Sequence, residues 1–270
     1  YGALMSHQPW SHSKKSVADQ CPRRFYHKYV ARPRTHKEYV SSSAGRIGNA
    51  VHILLENLVQ GRNSKSTFIR AVSGLTSEEI FEVKAYRDGI FRFLERFDAW
   101  CKKRNVAPCD VYPEMGVAFT EDGEIVDYWD KRAFWRGKLD LGVKVRDAKT
   151  GDVSMVIIDH KTGTRKPDKE AAYHEQLNAY VIGAFYMDPS IVGVQTLLHW
   201  VGEDLREDMY AFGPYRDRAD IELNLIPKFF DAYNATEQAA TTYVDEDTSP
   251  PQEDYYCSWC EYAYCCPLKA

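Results

Sequence analysis

Asp159, His160 and Lys161 are the residues of this chain best equipped to do chemistry. They close an apolar run, Val156-Ile157-Ile158, that reads as a buried strand. Thr162-Gly163-Thr164 follows as the turn that ends it. Side chains alternate along a strand, so Asp159 and Lys161 share one face and His160 takes the other. A carboxylate beside an ammonium at a strand end can hold a divalent ion and a water together. That is equipment for cutting a phosphodiester. The ion polarises the phosphoryl oxygen, makes hydroxide available near neutral pH and steadies the leaving oxygen.

Magnesium or manganese would serve, since both prefer oxygen donors. Asp140, in Gly137-Lys138-Leu139-Asp140, offers a second carboxylate. Lys161 can orient the attacking water and offset charge in the transition state. By itself an Asp-x-Lys is more often a surface ion pair, with Lys138 and Lys161 neutralising the two acids. The neighbourhood argues for more. Gln176 and Tyr180 stand four apart on one helical face. His52 lies beside an apolar helical stripe, behind Gly45-Arg46-Ile47-Gly48, and Glu114 opens the strand before Asp140.

The elements that must position these residues follow from periodicity. Residues 46–60 read as a helix with Ile47, Val51, Leu54, Leu55 and Leu58 along one face. Residues 77–104 read as one long amphipathic helix that packs on a core. Glu114 to Phe119 and Ile125 to Trp129 read as a hairpin around Asp122-Gly123. A second strand region covers 133–145, and Gly151-Asp152 turns the chain into the strand of Asp159. A helix over 169–186, a strand over 192–200 and a helix over 217–238 come next. Residues 11–30 suggest a short helix crowded with basic and aromatic side chains. Helices, then strands, then strand–helix–strand argue for an α/β domain with a mixed central sheet flanked by helices. The expectation is one domain over 1–270: mainly helical to 110, core sheet over 111–200, helix and cysteine segment over 201–270.

Charge is unevenly spread. The net charge is -4, yet residues 1–66 carry eleven Lys or Arg and only three acids. Residues 203–254 carry fourteen acids and four basic residues. A basic segment on an acidic body suits a phosphate backbone held by one face. No apolar run reaches the roughly 18 residues of a membrane span, and no secretory signal is apparent. Seven cysteines, an odd number gathered mostly at the end, argue against a secreted disulfide scaffold. Cys257-x2-Cys260-x5-Cys266-Pro267 and the distant Cys21-Pro22 instead suggest metal or cluster ligation in a reducing compartment. Zinc, a redox pair and an iron–sulfur cluster all remain open on spacing alone, and Cys265 competes with Cys266. Cys101 and Cys109 read as ordinary, partly buried thiols.

In this order, six segments resemble a known family: Cys21-Pro22-Arg23-Arg24-Phe25-Tyr26, Gly48 to His52, Gly137 to Asp140, Ile158 to Gly163, Gln176 to Tyr180 and the terminal cysteines. The chain is similar to RecB-type nucleases of the PD-(D/E)xK superfamily. It is most similar to the iron–sulfur exonucleases that include CRISPR-associated and phage-encoded members. The second acid of the signature is Asp159 here, where Glu is the alternative. The resemblance implies a restriction-endonuclease-like fold and a DNA exonuclease favouring single-stranded ends. It implies His52, Asp140, Asp159 and the His160 carbonyl as metal ligands, with Glu114 as a further acid. Lys161, Gln176 and Tyr180 would serve catalysis. A [4Fe–4S] cluster on Cys21, Cys257, Cys260 and Cys266 would clasp the two ends. It would place Arg23, Arg24 and Lys28 beside the site for phosphates and Phe25, Tyr26 and Tyr29 for bases, with Arg46 as a further DNA contact. The setting would be the cytoplasm of a prokaryotic or phage-infected cell. Two alternatives are a nuclease-fold subunit of a larger complex, working with partner proteins in recombination or CRISPR spacer acquisition, and a zinc-stapled DNA-binding module without catalysis.

Overall fold

Ser42 accepts the amide of Gly45 and opens α3 (Ser43–Val59), whose buried stripe of Ile47, Val51, Leu54 and Leu55 forms the first wall of a core. In the computed structural model, residues 8–33, 42–202, 210–253 and 255–268 are described. Before α3 come α1 (His12–Gln20) and α2 (Pro22–Phe25), the latter continued by a π-turn over Tyr26–Ala31. The helix expected over 11–30 is therefore broken at Cys21, because Pro22 cannot donate an amide and starts a new helix instead.

After α3 come α4 (Ser64–Ala71), α5 (Ser77–Ala85) and α6 (Arg87–Lys103). The single long helix expected over 77–104 is two helices parted at Tyr86. The apolar steps run on across the break, so periodicity does not reveal it. Thr76 and Glu79 form a reciprocal cap that fixes the start of α5.

The strands follow: β1 (Val111–Phe119), β2 (Trp135–Arg146), β3 (Val153–Lys161), then α7 (Pro167–Met187) and β4 (Ile191–Trp200). The short β5 (Tyr210–Phe212) and β6 (Arg216–Asp217) lead into α8 (Arg218–Asp220), a π-turn over Ile221–Leu225, and α9 (Ile226–Ala240). The sheet order is β1-β2-β3-β4-β5, with β6 on β4. β2 and β3 are antiparallel and β3 and β4 parallel, the latter pair joined by α7, so the sheet is mixed. The Asp122-Gly123 turn forms, with Gly123 at φ 79°. Beyond it Ile125 makes only an isolated bridge to Phe119, so 125–129 is not the expected strand.

Two compact units interleave along the chain. One holds residues 41–117 and 138–225. Its core packs α3 to α6 on one sheet face through Phe93, Leu141, Val143, Ile158 and Leu197. The other holds 1–40, 118–137 and 226–270. There Trp10 and Trp135 are fully buried and bridge each other in register, and Trp10 Nε1 donates to Glu237. Phe119, Phe134, Phe229 and Tyr233 complete an aromatic cluster.

Candidate active site

The last register pair of β2 and β3 is Leu141 with Ile158. One step further, the amide of His160 donates to Asp140 Oδ2 at 2.7 Å, a carboxylate standing where a strand carbonyl would otherwise serve. Asp140 Oδ1 lies 3.1 Å from His52 Nδ1, which α3 brings over the end of the sheet. Glu114 arrives from β1 with a left-handed backbone, φ 52°. That conformation costs ~1 kcal/mol for a residue with a Cβ. Lys138 answers its carboxylate at 2.5 Å. One donor atom each from His52, Glu114 and Asp140 come within 4.8 Å of one another, a group able to hold a metal ion.

Asp159 lies next to this group but turns to Lys161, whose Nζ is 2.6 Å from Oδ2. Of the expected ligands, then, His52 and Asp140 are gathered with Glu114, while Asp159 is engaged with the lysine. Lys161 Nζ is also 3.4 Å from Gln176 Oε1 and 4.3 Å above the Tyr173 ring. Gln176 Nε2 donates to the Tyr180 hydroxyl at 2.8 Å. Tyr173 was missed in the sequence. Its three-residue step to Gln176 on the same helical face was the available signal. These residues line an open pocket of about 380 Å³ with Thr162, Gly163, Thr164 and Trp200. Gly48 sits where an added Cβ would come within 3.2 Å of Thr162 Oγ1, so a side chain there would press on the turn behind Lys161.

The carboxylates of the pocket act on one another and on His52 even with Lys161 beside them. Burial pushes Asp159 up to about 6, and the neighbouring Asp140 adds to the shift against the pull of Lys161. Burial would lower His52, but the hydrogen bond and charge of Asp140, with Asp159 and Glu114 behind it, hold it raised. Burial would raise Asp140, yet the hydrogen bond and charge of His52 hold it lowered. Three carboxylates converging on one imidazole are what a divalent cation would relieve.

On the opposite face, His160 Nδ1 and His199 Nδ1 meet at 2.8 Å, both rings buried against Phe93. Burial lowers His160 to about 4 and His199 to about 2. Both are therefore neutral, and one shares its proton with the other.

The basic and aromatic residues expected on DNA have partners within the protein. Arg23 is buried, its guanidinium given to Glu246 and to the carbonyl of Ser249, so it holds the chain and does not meet phosphate. Arg24 and Lys28 both pair with Glu261. Arg46 pairs with the buried Glu79, at 3.0 Å through Nε. Phe25 is fully buried against Trp10, Tyr29 and Tyr243 and is not available to stack on a base. Tyr26 packs on His27.

In the same unit, Cys21, Cys257, Cys260 and Cys266 line one cavity with His27 and Tyr262. None of the four is in a disulfide, and Cys21 accepts the Arg24 amide at the start of α2. Cys265 is not among its lining residues, and its Sγ lies 3.7 Å from His27 Nε2. Cys101 is half-buried, whereas Cys109 is exposed.

An acid pair and a lysine at one end of a mixed sheet, with a metal-capable group beside them, define the class: a metal-dependent nuclease core. The family model of the PD-(D/E)XK nuclease superfamily matches residues 9–267, and the chain belongs to that superfamily. No curated protein matches it. No described helix is long and apolar enough to cross a membrane.

Proposed function

We propose that the protein is a magnesium- or manganese-dependent DNA exonuclease that acts on single-stranded ends and carries a structural [4Fe–4S] cluster. The observation that carries the nuclease reading is the gathering of His52, Glu114 and Asp140, of which His52 and Asp140 line one pocket with Asp159 and Lys161. His52, Glu114 and Asp140 would hold the ion, with Asp159 and the His160 carbonyl completing the set. The bound ion would supply Lewis-acid polarisation of a phosphoryl oxygen and a more acidic water. Asp159 and Gln176 fix Lys161, whose ammonium aligns the attacking water and offsets charge that develops on phosphate. Tyr180 holds Gln176 in turn.

The cluster reading is supported by the gathering of Cys21, Cys257, Cys260 and Cys266 on one cavity. The resemblance supplies the exonuclease mode, the single-strand preference and the prokaryotic or phage setting.

Digestion of 5′- and 3′-labelled single and double strands, with Mg²⁺ and with Mn²⁺, tests the proposal. Short products should appear from single-stranded ends and vanish in Asp159→Ala and Lys161→Ala. Undiminished cutting by both variants would sink the assignment. A colourless, iron-free protein would sink the cluster.

A further inference from the structure

The sheet face opposite α7 is only half covered. Near the carboxylates, α3 and α6 bury Leu141, Val143, Ile158 and Leu197. Toward the other end, Val145, Ser154, Val156 and Gln195 stay part-exposed on that same face. Their neighbours pointing the other way, Val153, Met155, Ile157 and Val194, are buried. The uncovered strip floors a groove of about 730 Å³, walled by α6 on one side and by Phe212 and Tyr215 on the other.

Bare apolar surface would suit a partner helix, but the lining chemistry is different. The α6 wall ends in Trp100, Lys103 and Arg104, with the Arg104 guanidinium 5.2 Å above the Trp100 ring. Across the groove, Phe212 is 71 % exposed and Tyr215 53 %. Tyr215 is seated on Gly193, where an added Cβ would overlap its hydroxyl at 2.0 Å, so the backbone is stripped to accommodate the ring. Arg96 and Arg146 add to Lys103 and Arg104, while Asp147 is the one acid among the described residues that line the groove. In a chain of net charge -4, four cations around exposed rings form a local reversal of sign. Cations that track a backbone and rings that take bases are how single strands are held without regard to sequence.

We propose that this groove is a binding site for a single strand of nucleic acid, separate from the cutting pocket. Phosphates lie on Lys103, Arg104 and Arg146, and bases lie on Phe212 and Tyr215. The inference rests on the reading of the protein as a nuclease of single strands. A long strand would use pocket and groove together, whereas a short one would use the pocket alone.

Fluorescence anisotropy with labelled oligothymidylates of about thirty and about six nucleotides, over a range of salt, tests it. The double variant Lys103→Glu/Arg104→Glu should bind the long strand about tenfold more weakly. Its salt dependence should flatten by about 1.4 logarithmic units per decade, two phosphate contacts at about 0.7 each. Lys103→Gln/Arg104→Gln should show a smaller loss in the same direction, which separates charge from any disturbance of the α6 terminus. Phe212→Ser should weaken the long strand without changing the salt slope. All should cleave the short strand as the unaltered protein does. Long-strand affinity and salt slope unchanged in the charge variants overturn the groove, including where it captures an acidic peptide instead. Long-strand binding that depends on the groove in a protein that cuts no DNA would retain the groove and overturn the nuclease reading.

Discussion

The carboxylate site draws His52, Glu114, Asp140 and Asp159 from α3, β1, β2 and β3, whereas the thiol cavity draws Cys21 from one end of the chain and three cysteines from the other. The first is built on sheet and helix that share a buried apolar core. Its charges already answer one another, Asp140 with His52, Glu114 with Lys138 and Asp159 with Lys161. The second is framed by two short 3₁₀ turns, Tyr255–Trp259 and Ala263–Cys265, and its sulfurs are not cross-linked to each other. The contrast separates two uses of bound metal. In the pocket it would supply chemistry to a finished scaffold. In the cavity it would supply the scaffold.

The hardest way to break this comparison is at the cavity. Cys257→Ser should abolish visible colour and lower stability by on the order of 5 kcal/mol, the scale of a cross-link closing a very long loop. Thermal denaturation and iron analysis read both. Next is the pocket: Asp159→Ala or Lys161→Ala should slow cleavage by about a thousandfold or more. Melting should stay near that of the unaltered protein, and chelation of the divalent ion should leave it equally unmoved. A collapse of the fold on chelation alone would erase the distinction between the two sites.

A third test concerns acid. His160 is held neutral, lowered from 6.5 to about 4 chiefly by burial. The unfolded chain therefore binds a proton between those values that the folded protein refuses. Stability present above pH 6.5 is lost as pH falls toward 4, by up to ~3 kcal/mol. Melting curves between pH 7 and 4 should show the loss, with visible absorbance monitored alongside. Retained colour while the melting point falls would place the weakness at the carboxylate end. The smallest effect is expected from Tyr180→Phe, which removes only the hydroxyl that accepts from Gln176. Losing one such bond costs about 1 kcal/mol, a fall in rate of about fivefold.

Much of the pocket was legible because chemistry fixes residue types. Asp159 and Lys161 had to share a face, and they do, with His160 on the other beside Phe93. Gln176 and Tyr180 had to be neighbours on a helix, and their side chains bond. The partners of the basic N-terminal segment were not legible, because ion pairing is decided by what folds opposite each cation. Glu246 and Glu261, more than 200 residues away, take Arg23, Arg24 and Lys28. The break between α5 and α6 was hidden for a similar reason. Tyr86 leaves the helical run to donate its hydroxyl to the Thr162 carbonyl at the edge of the pocket, a partner that no local pattern encodes.

By itself the sequence determined the ingredients and their order: the acid–lysine strand end, the strand–helix–strand that carries it and the four spaced cysteines. Local periodicity and the donor chemistry of each side chain suffice for that. Tertiary structure decided which acid joins His52 and Asp140, since Glu114 reaches them only through a left-handed turn of backbone in β1. It also decided that the N-terminal arginines are engaged by distant glutamates and that, among the described residues, half of one sheet face lies open. Each of these depends on distances between residues far apart in the chain, and a pattern of neighbours carries no such distances.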